Sequence, residues 1–263
     1  MFNILIFVIT FVFVVRTEST DNETWTGLWF PHSPNKSDKS LQYDEHGRVK
    51  MGVVNGNCDD GKTNLTVDFE KNDIDLYKCL HDRRDFKGDY AIEPIIHEYT
   101  IPPAYSAMHK CMDKKITYTE RLPTFGTHRP LWAKYGEYEY LPPQRWLHNS
   151  EHGAVIALYH ICANKQQIYE FKTVVKNCLY RHIITPSNLL TKERPFAVIT
   201  WGRSLEFSVF HPNMVKDFIR NSALRGPEQT PRDGQYDSLL IEHAKIVSTE
   251  MDTNLCPPSI NHT

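Results

Sequence analysis

A polar, ionisable segment joined directly to an apolar run constrains the fold of this chain more than any other feature. Trp146-Leu147-His148-Asn149-Ser150-Glu151-His152-Gly153 is followed at once by Ala154-Val155-Ile156-Ala157-Leu158-Tyr159. The apolar run has the length and the β-branched content of a buried strand. Because functional side chains often lie where such a strand begins, we expect His148, Glu151 and His152 to mark a functional site.

A third histidine, His128, lies upstream in a segment whose two prolines and one glycine restrict the backbone. Imidazole nitrogens from His128, His148 and His152 are a ligand set suited to zinc or copper. His148 and His152 can reach one ion only if residues 148–152 form a helical turn, because about 13 Å would separate them in a strand. Gly153 is a suitable end for that turn.

Two other interpretations of this motif remain open. The histidines could bond backbone carbonyls and only stabilise the fold, and Glu151 could orient one of them with or without a metal. The run from His148 to His152 also matches the H-x-x-E-H pattern of inverted zinc peptidases, which needs a continuing helix where we predict a strand. No serine or cysteine nucleophile with a base partner stands out, so we predict no catalytic residue and favour binding over turnover.

Aromatic residues and an arginine give weaker signals. Trp132, Tyr135 and Tyr138 precede two prolines, and they are candidates either for a groove that binds an extended ligand or for packing beneath a loop. Arg203 is a candidate to hold a carboxylate such as that of Glu228, or an anionic ligand, through two parallel hydrogen bonds.

The first residues indicate export. Residues 4–15 form an almost unbroken apolar run, shorter than the roughly 20 residues that span a membrane, and small polar residues follow it. We interpret residues 1–19 as a signal peptide, with an uncleaved anchor as the alternative. No later segment is long enough to cross a bilayer, so we expect a product in the secretory-pathway lumen or outside the cell.

Glycosylation signals agree with export. Asn-x-Ser/Thr sequons occur at Asn22, Asn35, Asn64 and Asn261. The 30 basic and 32 acidic residues nearly cancel, so no basic surface is dictated and nucleic acid is a poor candidate partner. We expect an unknown protein or a small ligand instead.

The cysteine count also agrees with export. Six cysteines occur, at Cys58, Cys79, Cys111, Cys162, Cys178 and Cys256. An even number in an oxidising compartment predicts disulfides, and none has the close spacing of a zinc site. Six cysteines allow 15 full pairings, among which we favour Cys162 with Cys178 because they flank one predicted helix.

Periodicity predicts the fold class. Residues 166–179 and the segment around 214–219 have helical spacing of apolar residues, whereas 182–184, 196–201 and 205–210 are typical of strands. We predict an α+β fold in which two helices cover a small mixed sheet, with a β-rich N-terminal extension. The expected organisation is a glycosylated lead-in at 20–46, a β-rich part at 47–120, a core domain at 121–228 and a tail at 229–263.

Several separated motifs resemble one family. They are Pro123-Thr-Phe-Gly-Thr-His128, Trp132, Gly136-Glu-Tyr138, His148-Asn-Ser-Glu151-His152-Gly153, Trp201-Gly202-Arg203 and Gly226-Pro-Glu228. Together they resemble the domain of unknown function shared by the p53-inducible protein 13 family of animals and many exported bacterial proteins. The resemblance implies a role in growth regulation and, in the animal members, a membrane anchor. The competing hypothesis is a non-catalytic protein-interaction module whose histidines are purely structural.

Overall fold

A computed structural model describes residues 43–44 and 48–258. The predicted signal peptide at 1–19, most of the lead-in and the sequons at Asn22, Asn35 and Asn261 lie outside the described residues. Asn64 lies inside them, and its side chain is exposed as a glycosylation site requires. Within the described part, no helix is both long enough and apolar enough to cross a membrane.

One mixed sheet organises the described residues. Its strands are β1 (Ile95–Glu98), β2 (Gly136–Tyr138), β3 (Val155–Tyr159), β4 (His182–Pro186), β5 (Phe196–Thr200), β6 (Arg203–Phe207) and β7 (Leu240–His243). Their order across the sheet is β1-β6-β5-β3-β4-β2-β7. Strand β3 lies at the centre, parallel to β4 and antiparallel to β5, and all five of its residues are buried.

Three helices pack on the two faces of this sheet. They are α1 (Pro143–Glu151), α2 (Lys165–Lys176) and α3 (Pro212–Ser222). Helix α1 packs with Ile156 and Leu158 of β3 on one face, called here the site face. Helices α2 and α3 pack with Val155 and Ala157 on the other, called here the opposite face.

Helices α2 and α3 follow ordinary sequence rules. The side chain of Asn164 accepts hydrogen bonds from the backbone N–H groups of Gln166 and Gln167, which caps the start of α2. Proline at the first position of α3 fixes a backbone angle that suits a helix start. Each helix buries a limited apolar stripe against the sheet, as the helical spacing of its sequence predicts.

Gly153 ends α1 and leads into β3. Helix α1 ends at Glu151, His152 caps it, and Gly153 has a φ of 89°, a left-handed conformation that favours glycine. A Cβ atom on Gly153 would also lie 3.1 Å from the Cα of Leu224. The helical turn that the metal hypothesis requires is present, and the end at Gly153 and the predicted strand after it are confirmed.

The α+β class, the mixed sheet and the disulfide bonding are confirmed, and the sheet is larger than predicted. A third helix, α1, covers the second face. Between residues 48 and 120 the structure has one strand and three 3-10 turns, namely Leu65–Val67, Ile74–Leu76 and Arg83–Phe86, so this part is less β-rich than predicted. Side chains of Asp60, Asp73 and Asp82 accept hydrogen bonds from nearby backbone N–H groups, which favours local turns over strand ladders.

The six cysteines form three long-range disulfides. The pairs are Cys58–Cys111, Cys79–Cys162 and Cys178–Cys256. The predicted pairing of Cys162 with Cys178 is wrong. Helix α2 lies between these residues and its 12 residues span about 18 Å, far more than the separation of about 7 Å that a disulfide tolerates.

Candidate metal centre

Three histidines and one glutamate converge beside the end of α1. His148 and Glu151, three residues apart, lie in the last turn of that helix. His128 comes from the preceding loop, and His109 comes from a segment that forms a parallel bridge with His128. The bridge is held by hydrogen bonds from Lys110 N–H to the His128 carbonyl (3.0 Å) and from His128 N–H to the Met108 carbonyl (3.1 Å).

The potential ligand atoms are close enough to share one ion. One nitrogen from each of His109, His128 and His148 and one Glu151 oxygen all lie within 4.8 Å of one another. The Glu151 Oε2 atom is 3.0 Å from His128 Nε2 and 4.0 Å from His109 Nε2. A tetrahedral ion with bonds of about 2.1 Å separates its ligand atoms by roughly 3.4 Å, which lies between these two distances.

Backbone carbonyls orient two of these rings. The Nδ1–H of His128 donates to the Gly126 carbonyl (2.8 Å), and that of His148 donates to the Arg129 carbonyl (2.6 Å). In a neutral imidazole the other nitrogen, Nε2, then carries a lone pair that points into the cluster. Metal-binding histidines in proteins are oriented in this way.

The inward-pointing atoms have no hydrogen-bond partner among the described residues. This holds for Nε2 of His109, His128 and His148 and for Oε2 of Glu151, all of them buried. The 3.0 Å approach of His128 Nε2 to Glu151 Oε2 therefore lacks hydrogen-bond geometry, although it is short enough for an ion pair. Two acceptors that face each other at this distance repel unless a cation or a proton lies between them.

Burial sets the protonation of the cluster. It lowers the pKa of His109 to about 3 and that of His128 to about 4, and it lowers the pKa of His148 well below its usual value, where neighbouring histidines act in the same direction. It raises the pKa of Glu151 to about 7. The imidazoles are thus neutral near pH 7, as metal ligands must be.

Arg129 fixes three parts of the cluster at once. Its carbonyl accepts from His148, and its neighbour in sequence is His128. Its fully buried guanidinium donates to both carboxylate oxygens of Asp68 and to the carbonyls of Lys110 and Cys111, the two residues that follow His109. This side chain therefore fastens the segment of His109 to the segment of His128.

His152 lies beside the cluster and not among the four converging ligands. Its ring centre is 4.7 Å from that of His148 and 4.5 Å from that of Trp132. Its Nδ1–H donates to the Glu228 carbonyl, and its buried Nε2 has no partner in the described part of the chain. Of the three predicted ligands, the structure thus brings His128 and His148 together and places His152 adjacent to them.

Sequence reasoning missed His109. It lies 19 residues before His128 in an irregular segment with no period and no motif, and only the bridge to His128 brings it to the site. Glu151, predicted to orient a histidine, instead contributes a converging oxygen.

Of the two interpretations of the aromatic residues, the ligand groove is wrong and packing is what the structure has. Trp132, Tyr135 and Tyr138 are at most 3% exposed, so they cannot line an accessible groove. Trp132 packs against His148 and His152, and the two tyrosine hydroxyls donate to backbone carbonyls.

Arg203 holds a carboxylate, as one of its two predicted roles requires, but this carboxylate belongs to Glu98 and not to Glu228. Arg203 lies 3.4 Å from the carboxylate of Glu98 and donates to the Asn221 carbonyl, because strand pairing places Glu98 of β1 directly opposite Arg203 of β6. Arg203 therefore has a structural role between β1, β6 and α3.

Comparison with known proteins shows that part of this chain is similar to an uncharacterised domain family. Residues 109–235 match the family model described as "Protein of unknown function (DUF3105)". The four converging ligand residues and the predicted core domain at 121–228 all lie inside this segment. No curated protein and no solved structure matches the chain.

Proposed function

We propose that this chain binds one zinc or copper ion through His109, His128, His148 and Glu151. The observation that carries the proposal is the convergence of three neutral imidazole nitrogens and one carboxylate oxygen, all buried and without a hydrogen-bond partner in the described part of the chain. Imidazole is a ligand that zinc and copper prefer, whereas calcium and magnesium prefer sets made of oxygen.

A purely structural cluster explains these atoms less well. Each buried acceptor without a donor costs about 1–3 kcal/mol, so four of them in one place would be a large penalty for a fold to keep. A cation satisfies all four together. His182 shows the structural pattern, because it is a buried histidine whose Nδ1–H also donates to a carbonyl (2.7 Å) but which belongs to no group of converging ligand atoms among the described residues.

Elemental analysis of protein purified without an affinity tag tests the proposal. We expect close to one zinc or copper per chain in the wild type and a loss of most of it in His148→Ala and His109→Ala. His182→Ala is the matched control and should keep its metal, because His182 is equally buried and lies on the opposite face. Equal metal content in all four proteins would eliminate the site.

We propose further that the protein is an exported glycoprotein, secreted or retained in the secretory-pathway lumen. Three disulfides, no free cysteine among the described residues and an exposed Asn64 support this location. Expression in a eukaryotic secretory system should give a product whose mobility shifts on glycosidase treatment, with a smaller shift for Asn64→Gln. A product that stays inside the cytosol would contradict the proposal.

A role in growth regulation is supported only by the resemblance to the p53-inducible protein 13 family. In that setting the bound ion would stabilise or regulate an extracellular module, and binding rather than turnover would be its activity.

A further inference from the structure

Within the described residues, two buried acceptor atoms near the metal cluster form no hydrogen bond and are not among its four ligands. The first is Nε2 of His152, on a side chain from a residue that is 2% exposed. Its ring is fixed, because Nδ1–H donates to the Glu228 carbonyl and the ring packs against Trp132 and His148. The free nitrogen therefore has a defined direction.

The second acceptor is the buried Oε2 atom of Glu228, which also has no partner among the described residues. Glu228 is tied to the end of α1 at two points, since its N–H donates to the Glu151 carbonyl (3.2 Å) and its own carbonyl accepts from His152. These two bonds hold Glu228 against the last turn of α1, the turn that carries His148 and Glu151. A buried nitrogen and a buried carboxylate oxygen thus belong to two residues that are held beside the helical turn of the metal cluster.

These two atoms restrict what can occupy the space beside the ion. Both accept hydrogen bonds when the imidazole is neutral, so a neighbour that offers only lone pairs would be repelled. A neighbour that carries O–H or N–H groups would satisfy both atoms and could at the same time bind the ion through a lone pair. Water is the smallest molecule of this kind.

We propose that the metal keeps one exchangeable coordination position facing His152 and Glu228, and that this position selects small protic ligands, with water bound at rest. The inference rests on the proposed metal site and makes it an open site instead of a sealed structural one. His109, with 11% of its side chain exposed, is the least buried of the four ligands and marks the side from which a small molecule can enter. His152 and Glu228 are then residues that determine ligand specificity.

Cobalt(II)-substituted, untagged protein tests this, because the visible spectrum of the ion reports exchange of its ligands. The probes are acetohydroxamic acid, which keeps an N–H donor when it binds a metal, and azide, which has no hydrogen. For Glu228→Gln we expect hydroxamate affinity to fall about tenfold, the scale of one hydrogen bond to a charged group, and azide affinity to rise because a negative charge is removed. Cobalt content should not change.

For His152→Ala we expect about a tenfold loss of hydroxamate affinity, with cobalt content and azide affinity kept. His182→Ala should match the wild type with both probes. Three outcomes would overturn the inference: a wild-type spectrum that responds to neither probe, a shift of both affinities in the same direction in Glu228→Gln, or a loss of cobalt from His152→Ala as large as that from His148→Ala. Failure of the wild type to bind any metal would instead reject the proposed function itself.

Discussion

Helix α1 on the site face and helices α2 and α3 on the opposite face bury very different side chains. Helix α1 buries residues 144–151 without a gap, and most of these are polar or charged. Helix α2 fully buries only Phe171 and Val175, and α3 also buries one narrow stripe. The opposite face is thus an ordinary apolar interface, whereas the site face surrounds a helix with protein on all sides.

Most polar groups of α1 are satisfied by distant partners. Arg145 forms a two-point ion pair with the buried Asp59, and the side chain of Asn149 exchanges hydrogen bonds with the backbone of Ala133. Gln144, His148 and Glu151 are the exceptions, because each has one buried atom without a partner among the described residues, and only those of His148 and Glu151 belong to the converging cluster. The opposite face therefore stabilises the fold by apolar packing, whereas the site face holds a cluster of buried polar atoms that a bound ion would satisfy.

The largest expected loss of unfolding free energy comes from removing a disulfide, either the one near the site or the one at the opposite face. Cys58–Cys111 closes a separation of 53 residues near the site, and Cys178–Cys256 closes one of 78 residues at the opposite face. The chain-entropy estimate gives a loss of about 4 kcal/mol in unfolding free energy for the double variant Cys58→Ala, Cys111→Ala and about 4.5 kcal/mol for Cys178→Ala, Cys256→Ala. Urea unfolding in the presence of a chelator measures both.

Metal affinity should separate the two double variants. Cys111 lies two residues from His109, and its carbonyl is held by Arg129, so loss of Cys58–Cys111 should weaken metal binding roughly 10- to 100-fold, as for residues that support metal ligands. The variant without Cys178–Cys256 should keep wild-type affinity in a competition assay with a coloured chelator. Equal weakening in both would show that the two faces are not independent.

A smaller loss of unfolding free energy is expected when the metal-free protein is acidified. Because burial holds the pKa of His109 at about 3 and that of His128 at about 4, the unfolded chain binds protons first as the pH falls below about 6.5. Stability should therefore fall between about pH 6.5 and pH 4, by up to about 1.4 kcal/mol per pH unit for each histidine. Glu151, with a pKa raised to about 7, opposes this loss because its folded form gains a proton as the pH falls through 7.

Two variants sharpen the acid prediction. Glu151→Gln should make the loss of stability steeper, because it removes the opposing proton. His182→Ala removes a single buried histidine of the opposite face, whose pKa burial lowers to about 4. The slope of unfolding free energy against pH should therefore decrease by the contribution of one proton at most. Unfolding free energies measured at intervals from pH 7 to pH 4 check both, and an unchanged slope for Glu151→Gln would contradict the assignment.

The smallest loss of unfolding free energy is expected from removing the side-chain cap at the start of α2. Asn164→Ala removes the side chain that accepts from Gln166 and Gln167, and it should cost about 1 kcal/mol of unfolding free energy. Metal content should stay at the wild-type value, because α2 lies across the sheet from the cluster. A loss of metal in this variant would show that the opposite face influences the site.

Sequence reasoning succeeded where local patterns decide the structure. The period of 3.6 residues gave α2 and α3, and the apolar run gave β3, because each of these elements buries a face that its own spacing defines. The first turns of α1 were missed, since a helix buried all round has no polar face and Arg145 and Asn149 break any apolar stripe. The polar residues of α1 instead match partners that are distant in sequence, such as Asp59, which pairs with Arg145.

The order of residues by itself determined α2, α3, the buried strand β3 and the expectation of disulfides, because these properties depend on the spacing of neighbours within a few residues or on the cysteine count. Only the tertiary structure decided that His109 joins His128, that His152 stands aside with Glu228, and which cysteines pair. Those contacts join segments up to 83 residues apart, and they arise when the whole chain packs into one core, so no local spacing encodes them.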